Sequence, residues 1–228
     1  ASSGDLKRIW NKIKKFSEGT QEVEPNIWRL SPLVVPLHKF SLVRRFNRRL
    51  MKVYVGGFLK KKRFDSFIQW SSSPTSAPML GALGEGANVY YIGDEFSEFS
   101  QFNSKLVTRL ERELLVRSNL LFVVSERLSQ TKSPFNSAVK MLPHGCDFEH
   151  FSKVASLGEH DIPADLAAIP HPRIGYFGLI RDWFDFPMLK AIFTRHPEWS
   201  LVLVGPSDTD TSAIASLPNV HLLGPKEY

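Results

Sequence analysis

Side chains able to do chemistry collect in two parts of this sequence. The first part is cationic. Arg44, Arg45, Arg48, Arg49, Lys52, Lys60, Lys61, Lys62 and Arg63 place nine cations within twenty residues, with no acidic residue among them. Such density favours phosphate-bearing partners, either a nucleic acid or an anionic membrane. The second part is a series of small or polar residues standing where short apolar runs stop. These are the serines at 71–73, Gly93-Asp94-Glu95, Ser125-Glu126, Pro143-His144-Gly145, residues 178–185, Gly205-Pro206-Ser207 and Gly224. If the runs are parallel strands, these are the ends at which α/β sheets hold ligands. Small residues there admit a ligand to the backbone, and helix N-termini just beyond offer N–H groups to phosphate oxygens.

Other reactive residue types have blander readings beside the functional ones. Cys146 is the only cysteine. It excludes an internal disulfide framework, suits a reducing compartment, and reads as a small buried residue rather than a nucleophile. His38, His150, His160, His171, His196 and His221 show no metal-ligand spacing, and no metal site is expected. His144 reads as a turn hydrogen-bonder, and Asp208-Thr209-Asp210 as a solvated loop. Asp94 either caps the following segment or serves a ligand, and Glu95 beside it leaves that choice open. Arg181 and Asp182 either form a surface ion pair of little energetic weight or face a ligand together.

The elements that must position these residues follow from periodicity. Apolar spacing predicts a basic amphipathic helix over 5–16 and a second over 42–64, with Gly56-Gly57 weakening the latter. A turn at Glu24-Pro25-Asn26 precedes a short strand over 27–30. Strands are predicted over 67–70, 87–92, 120–124 and 138–142. Between them lies an amphipathic helix over 104–117, with Leu106, Leu110, Leu114 and Leu115 inward and Arg109, Glu113 and Arg117 outward. Ser125 is a plausible N-cap for a helix that follows it. Residues 147–172 are proline-rich and aperiodic. Strands over 173–177, 201–204 and 220–223, with a helix over 187–195, then resume the alternation.

Short apolar strands alternating with helices define an α/β fold. The expectation is two Rossmann-like, doubly wound parallel-sheet domains: 1–146, a connection at 147–172, and a second domain starting within 173–228. Both domains are expected to be incomplete. The first opens on a helix where a doubly wound unit opens on a strand and a phosphate-binding turn, and the last strand is followed by only a few residues.

Charge is unevenly spread. Residues 1–63 carry 16 basic and 4 acidic side chains, whereas 64–228 carry 13 and 19, so the formal +6 is a +12 segment on a −6 body. The apolar fraction of 43% is that of an ordinary globular protein. No apolar run approaches the ~20 residues of a membrane-spanning helix.

Several stretches together resemble one family. They are residues 90–97 (Tyr-Tyr-Ile-Gly-Asp-Glu-Phe-Ser), 110–115 (Leu-Glu-Arg-Glu-Leu-Leu) and Val123-Val124-Ser125. The others are the crossover at 142–151, then Ile174-Gly175-Tyr176-Phe177-Gly178, 199–206 and 217–224. Their order and spacing are similar to the two-domain, GT-B-fold, retaining bacterial glycosyltransferases of capsule, teichuronic acid and lipopolysaccharide synthesis. The resemblance implies transfer of a sugar from a nucleotide diphosphate donor to a hydroxyl acceptor, with no cofactor and no required metal.

By position in that family, Gly178, Arg181 and Asp182 would face the donor diphosphate, and a planar guanidinium suits a phosphate. Gly205 and Pro206 would lie near the base or ribose, and Asp94 would face the acceptor or donor sugar. Asp94 is thus the best catalytic candidate. The family usually has Gly-Arg and a following Lys at the first loop; Gly178-Leu179 stands here, with Arg181 as the nearest cation. A paired-glutamate segment would fall beyond Tyr228 and a glycine-rich turn before Ala1, so this stretch alone is expected to be inactive.

The cations at 44–63 are then read as binding an anionic membrane, each contributing roughly 1 kcal/mol near such a surface. That places the protein in the cytoplasm, peripheral on the inner face of the cell membrane. The partners implied are a nucleotide sugar, a lipid-linked or saccharide acceptor and that membrane. A non-catalytic basic module binding membrane or nucleic acid through residues 1–63 is the alternative. A dehydrogenase or epimerase is disfavoured, since neither Gly-x-Gly-x-x-Gly nor Tyr-x-x-x-Lys occurs.

Overall fold

A computed structural model describes residues 10, 14, 16–35, 37, 39–100 and 103–227. It divides into two compact units, 1–145 and 146–228. The helix predicted over 5–16 lies mostly outside the described residues. Within it, Trp10, Lys14 and Phe16 are helical.

In the first unit, β1 (Gln21–Glu24) and β2 (Ile27–Arg29) form an antiparallel hairpin. Its turn places Asn26 at φ +65°, a conformation that asparagine tolerates better than most residues. Helix α1 (Ser41–Lys61) runs unbroken through Gly56 and Gly57. Inside it the buried Asn47 holds the proline-flanked segment before the helix, accepting from the Val35 N–H (3.0 Å) and donating to the Val35 carbonyl (2.8 Å).

Four parallel strands then follow in chain order: β3 (Ile68–Ser71), β4 (Ala87–Ile92), β5 (Leu120–Val123) and β6 (Val139–Met141). A 3-10 turn at Pro74–Met79, α2 (Ser104–Arg117) and α3 (Glu126–Lys132) lie between them. Strands laid down in one direction with right-handed crossovers send every connecting helix to the same face. Hence Tyr90, Ile92, Leu121 and Val123 are buried with Leu110, Leu114 and Leu128 on that face. On the opposite face Trp70 is exposed and stacks on Phe122 (centroids 5.3 Å) and Tyr91 (6.1 Å).

The second unit opens on short helices, including α4 (Phe148–Ser152) and α5 (Ala164–Ala167). Strands β7 (Arg173–Phe177), β8 (Ser200–Val204) and β9 (Val220–Gly224) then make a parallel sheet. Helices α6 (Phe186–Arg195) and α7 (Ser212–Ala215) cover one face through Phe193, Ile214, Leu201 and Leu203. Asn219 fastens the end of α6 by donating to the carbonyls of Phe193, His196 and Trp199. The fold is α/β with parallel, Rossmann-like sheets, as the alternation of the sequence predicts. No described helix is long and apolar enough to cross a membrane.

Candidate functional site

The three strands of the second unit each end in a glycine with positive φ: Gly178 (+138°), Gly205 (+139°) and Gly224 (+68°). Their ends are tied abreast. The Gly178 N–H donates to Val204 and the Gly205 N–H to Gly224, both at 2.9 Å. The pairing continues past the strands, with Ile180 N–H donating to Pro206 (2.9 Å) and Asp208 N–H to Ile180 (3.2 Å). Side chains are absent where the loops approach most closely, so an incoming group meets main chain at the C-terminal edge of a parallel sheet. Tyr176 stiffens the first loop, its hydroxyl donating to the Leu179 carbonyl (3.1 Å) and its ring standing edge-on to Phe184.

Arg181 is the cation of this edge. Its guanidinium pairs with Asp208 (3.1 Å) and lies 5.7 Å from the centroid of the Trp183 ring. Arg181 thus has an acidic partner across two loops in Asp208, which is an exposed loop residue as its sequence context suggests. The cause is the strand-like pairing of residues 180 and 207, which carries one loop alongside the other. Asp210 lies just before α7: bonds from the Ser212 N–H, then its hydroxyl, hold this carboxyl below the usual carboxylate range. The structure therefore brings Gly178, Arg181, Gly205 and Pro206 together, with Asp182 exposed beside them.

In the first unit the strand-end residues divide between structure and surface. Ser73 caps the 3-10 turn and Ser125 caps α3, accepting from Leu128 N–H at 3.3 Å. Asp94 is exposed after β4, whereas Glu95 is committed inward. The Lys132 ammonium donates to Glu95 (2.8 and 3.1 Å) and to Glu111 (3.1 Å), and the Tyr90 hydroxyl donates to Glu111 (3.3 Å). Lys132 and Glu111 are only 7% and 5% exposed. Burial alone would push Lys132 down, but the bonds to Glu95 and Glu111 outweigh it and hold the ammonium above its ordinary pKa. Burial, then the Glu111 charge, pushes the Tyr90 hydroxyl far up. This network has no counterpart in the sequence reading. His144 finds a side-chain partner rather than a turn carbonyl: its Nδ1 meets the Tyr91 hydroxyl at 3.1 Å.

The nine cations of residues 44–63, seven of them in α1, do not share one face. Arg44, Arg45 and Arg48 turn toward the 3-10 turn and α2, and Arg49, Lys52 and Lys60 line a separate hollow. Lys61 and Lys62 border the β1–β2 hairpin, with Lys62 over the Trp28 ring at 4.4 Å. Arg63 takes a left-handed turn just after the helix. The outermost stripe of α1 is Leu42, Phe46 and Val53, with Leu42 and Val53 at least 70% exposed, and Arg49 and Lys60 among them.

The fold so described is one found among proteins that bind nucleotides. The chain resembles the crystal structure of Anabaena HepE (Alr3699) in complex with UDP and glucose, with a TM-score of 0.54 and 15% identity over 85% of this chain and 54% of that one. In sequence it is 24% identical over 175 residues to a Bacillus subtilis (strain 168) protein provisionally named as the teichuronic acid biosynthesis glycosyltransferase TuaH. That match covers 69% of this chain and 43% of the relative, so the chain spans about half the length of the proteins it matches. No family model matches the chain.

Proposed function

We propose that this chain serves a glycosyltransferase that moves a sugar from a nucleotide diphosphate to a hydroxyl acceptor, retaining configuration, in cell-envelope polysaccharide synthesis. The observation carrying this reading is the three-glycine edge of the second unit with Arg181 beside it. The name of the Bacillus relative supports the reaction class and the polysaccharide context. In the reaction, the bond from the sugar's anomeric carbon to the diphosphate oxygen breaks, and both electrons leave with the diphosphate. The acceptor's hydroxyl oxygen bonds to that carbon, and its proton passes to the departing diphosphate. A fixed guanidinium beside that group stabilises the charge as it develops. The glycine backbones allow close approach, and Asp94 of the first unit is assigned to the sugar or acceptor. The reading invokes no metal or cofactor.

The Arg181–Asp208 pair gives the test its sign. A diphosphate must compete with Asp208 for the guanidinium. UDP or another nucleoside diphosphate is expected to raise the melting temperature, with or without EDTA. Arg181→Ala should weaken binding about tenfold or more, since hydrogen bonds to charged groups are worth roughly 1.5–3 kcal/mol. Asp208→Asn should leave affinity unchanged or improve it. No shift with any nucleoside diphosphate would overturn the reading.

The outer stripe of α1 favours a peripheral seat on the inner face of the cell membrane. Apolar side chains flanked by cations dip into an anionic bilayer. Phe46→Ser with Val53→Ser should lower sedimentation with phosphatidylglycerol vesicles by tenfold or more. Burying each such side chain is worth about 1.5–3 kcal/mol. Duplex DNA retarding the chain as strongly as vesicles sediment it would favour a nucleic-acid partner instead.

A further inference from the structure

Arg44, Arg45 and Arg48 meet a fourth arginine that the sequence gives no reason to associate with them. With Ser41 they occupy positions i, i+3, i+4 and i+7 of α1, one stripe of a helix. Arg117, in the last turn of α2, lies across from that stripe. Between them is a largely polar hollow of about 450 Å³, floored by Ala77, Pro78, Leu80 and Leu110. Among the described residues the one carboxylate on its wall is Glu113, so four guanidiniums against one carboxylate leave a formal +3.

Two of these guanidiniums are already aimed. Arg44 donates to the Lys39 carbonyl (3.2 Å) and Arg117 to the Leu80 carbonyl (3.3 Å). In Arg117 one edge of the fork is fixed and other N–H groups remain. Arg45 and Arg48 have no hydrogen-bond or ion-pair partner among the described residues, and Glu113 pairs with none of the four. Like charges gathered in a walled hollow raise its potential and repel one another until an anion enters. Planar forks approaching from two helices suit the several oxygens of a phosphate better than a single carboxylate.

We propose that this hollow binds a phosphate-bearing ligand, a phosphomonoester or diphosphate, independently of the glycosyltransferase reading. The group can be borne by a soluble molecule or by a lipid headgroup. The arginine stripe lies roughly a third of a turn round α1 from the outer Leu42–Phe46–Val53 stripe, so the hollow occupies a separate side of the helix from the one assigned to the bilayer.

The test uses the full chain and two probes: inorganic pyrophosphate by calorimetry, and phosphatidylcholine vesicles containing either phosphatidic acid or phosphatidylglycerol. Every titration is repeated on Arg181→Ala, so that phosphate bound by the second unit is counted separately. Saturable binding is expected for pyrophosphate or for phosphatidic acid vesicles in preference to phosphatidylglycerol. Pyrophosphate alone marks a soluble ligand and vesicles alone mark a headgroup. Arg48→Lys with Arg117→Lys keeps every charge and the aliphatic stems, yet is expected to weaken binding at least tenfold. Arg127→Gln removes an exposed cation of the same unit, outside both the hollow and α1, and should change it less than twofold. The reverse order, or no saturable binding to either probe, overturns the proposal.

Discussion

Lys132→Met is expected to destabilise the first unit by about 3–5 kcal/mol, the usual cost of breaking a buried ion pair from one side. The Glu111 carboxylate would remain 5% exposed with only the Tyr90 hydroxyl, at 3.3 Å, to satisfy it. Glu95, one-third exposed, can turn to water, so its loss is the smaller part. The double variant Lys132→Met, Glu111→Leu should recover most of the stability, because removing both buried charges is often nearly neutral. Urea unfolding midpoints of the two variants decide the matter. A single variant within 1 kcal/mol of the parent would mean the pair is not buried as described.

The same network sets an alkaline limit. Lys132 is held protonated above its ordinary 10.5 and Tyr90 above its ordinary 10.0, while in the unfolded chain both release protons near those values. A group whose folded pKa is raised contributes stability that is whole below the unfolded pKa and is lost as pH rises past it. Both groups act in this direction. Stability of the parent should therefore fall above about pH 10 more steeply than that of the double variant, from which the charged pair is gone.

How much of this could be read from the sequence depends on the range of each interaction. Local periodicity places α2 at Ser104–Arg117 and β4 at Ala87–Ile92, both within the expected bounds. The glycines that punctuate strand ends mark the edge formed by Gly178, Gly205 and Gly224, since each interrupts an apolar run where only a bare backbone suits the turn. Glu111 left a fainter signal. It stands three and four residues before Leu114 and Leu115, hence on their stripe, and an acidic residue on an apolar stripe implies a buried partner. That the partner is Lys132, 21 residues on, is a fact of packing that no local pattern carries. The Arg181–Asp208 pair, 27 residues apart, is illegible for the same reason. The basic helix is the mixed case: its charge was evident, but its division between an inner hollow and an outer stripe depends on which neighbours cover it.

Gly205→Ala should be the most damaging small substitution in the second unit. At φ +139° an L side chain is strained, a penalty of roughly 1–3 kcal/mol. A Cβ there would also be driven into the carbonyl oxygen of Gly178, which is backbone and cannot swing aside. Relief requires β7 and β8 to part at their ends, loosening the Gly178–Val204 and Ile180–Pro206 bonds that fix the loops. At about 1 kcal/mol for each lost bond, a total near 3 kcal/mol or more is expected. For a unit of this size that lowers its melting temperature by some 10 °C or more. Gly175→Ala is the matched comparison: it lies in β7 of the same sheet, has no positive φ and meets nothing within 4 Å. It should cost less than about 1 kcal/mol, the range of ordinary surface changes. Calorimetric scans of the two variants, with trypsin cleavage followed by mass spectrometry to locate the loosened segment, distinguish the cases. Cleavage in Gly205→Ala is expected around Arg181, in the loop freed when the strand ends separate. Equal stability of the two variants would show that the loops do not approach at Gly205, and the diphosphate edge built on that approach would go with it.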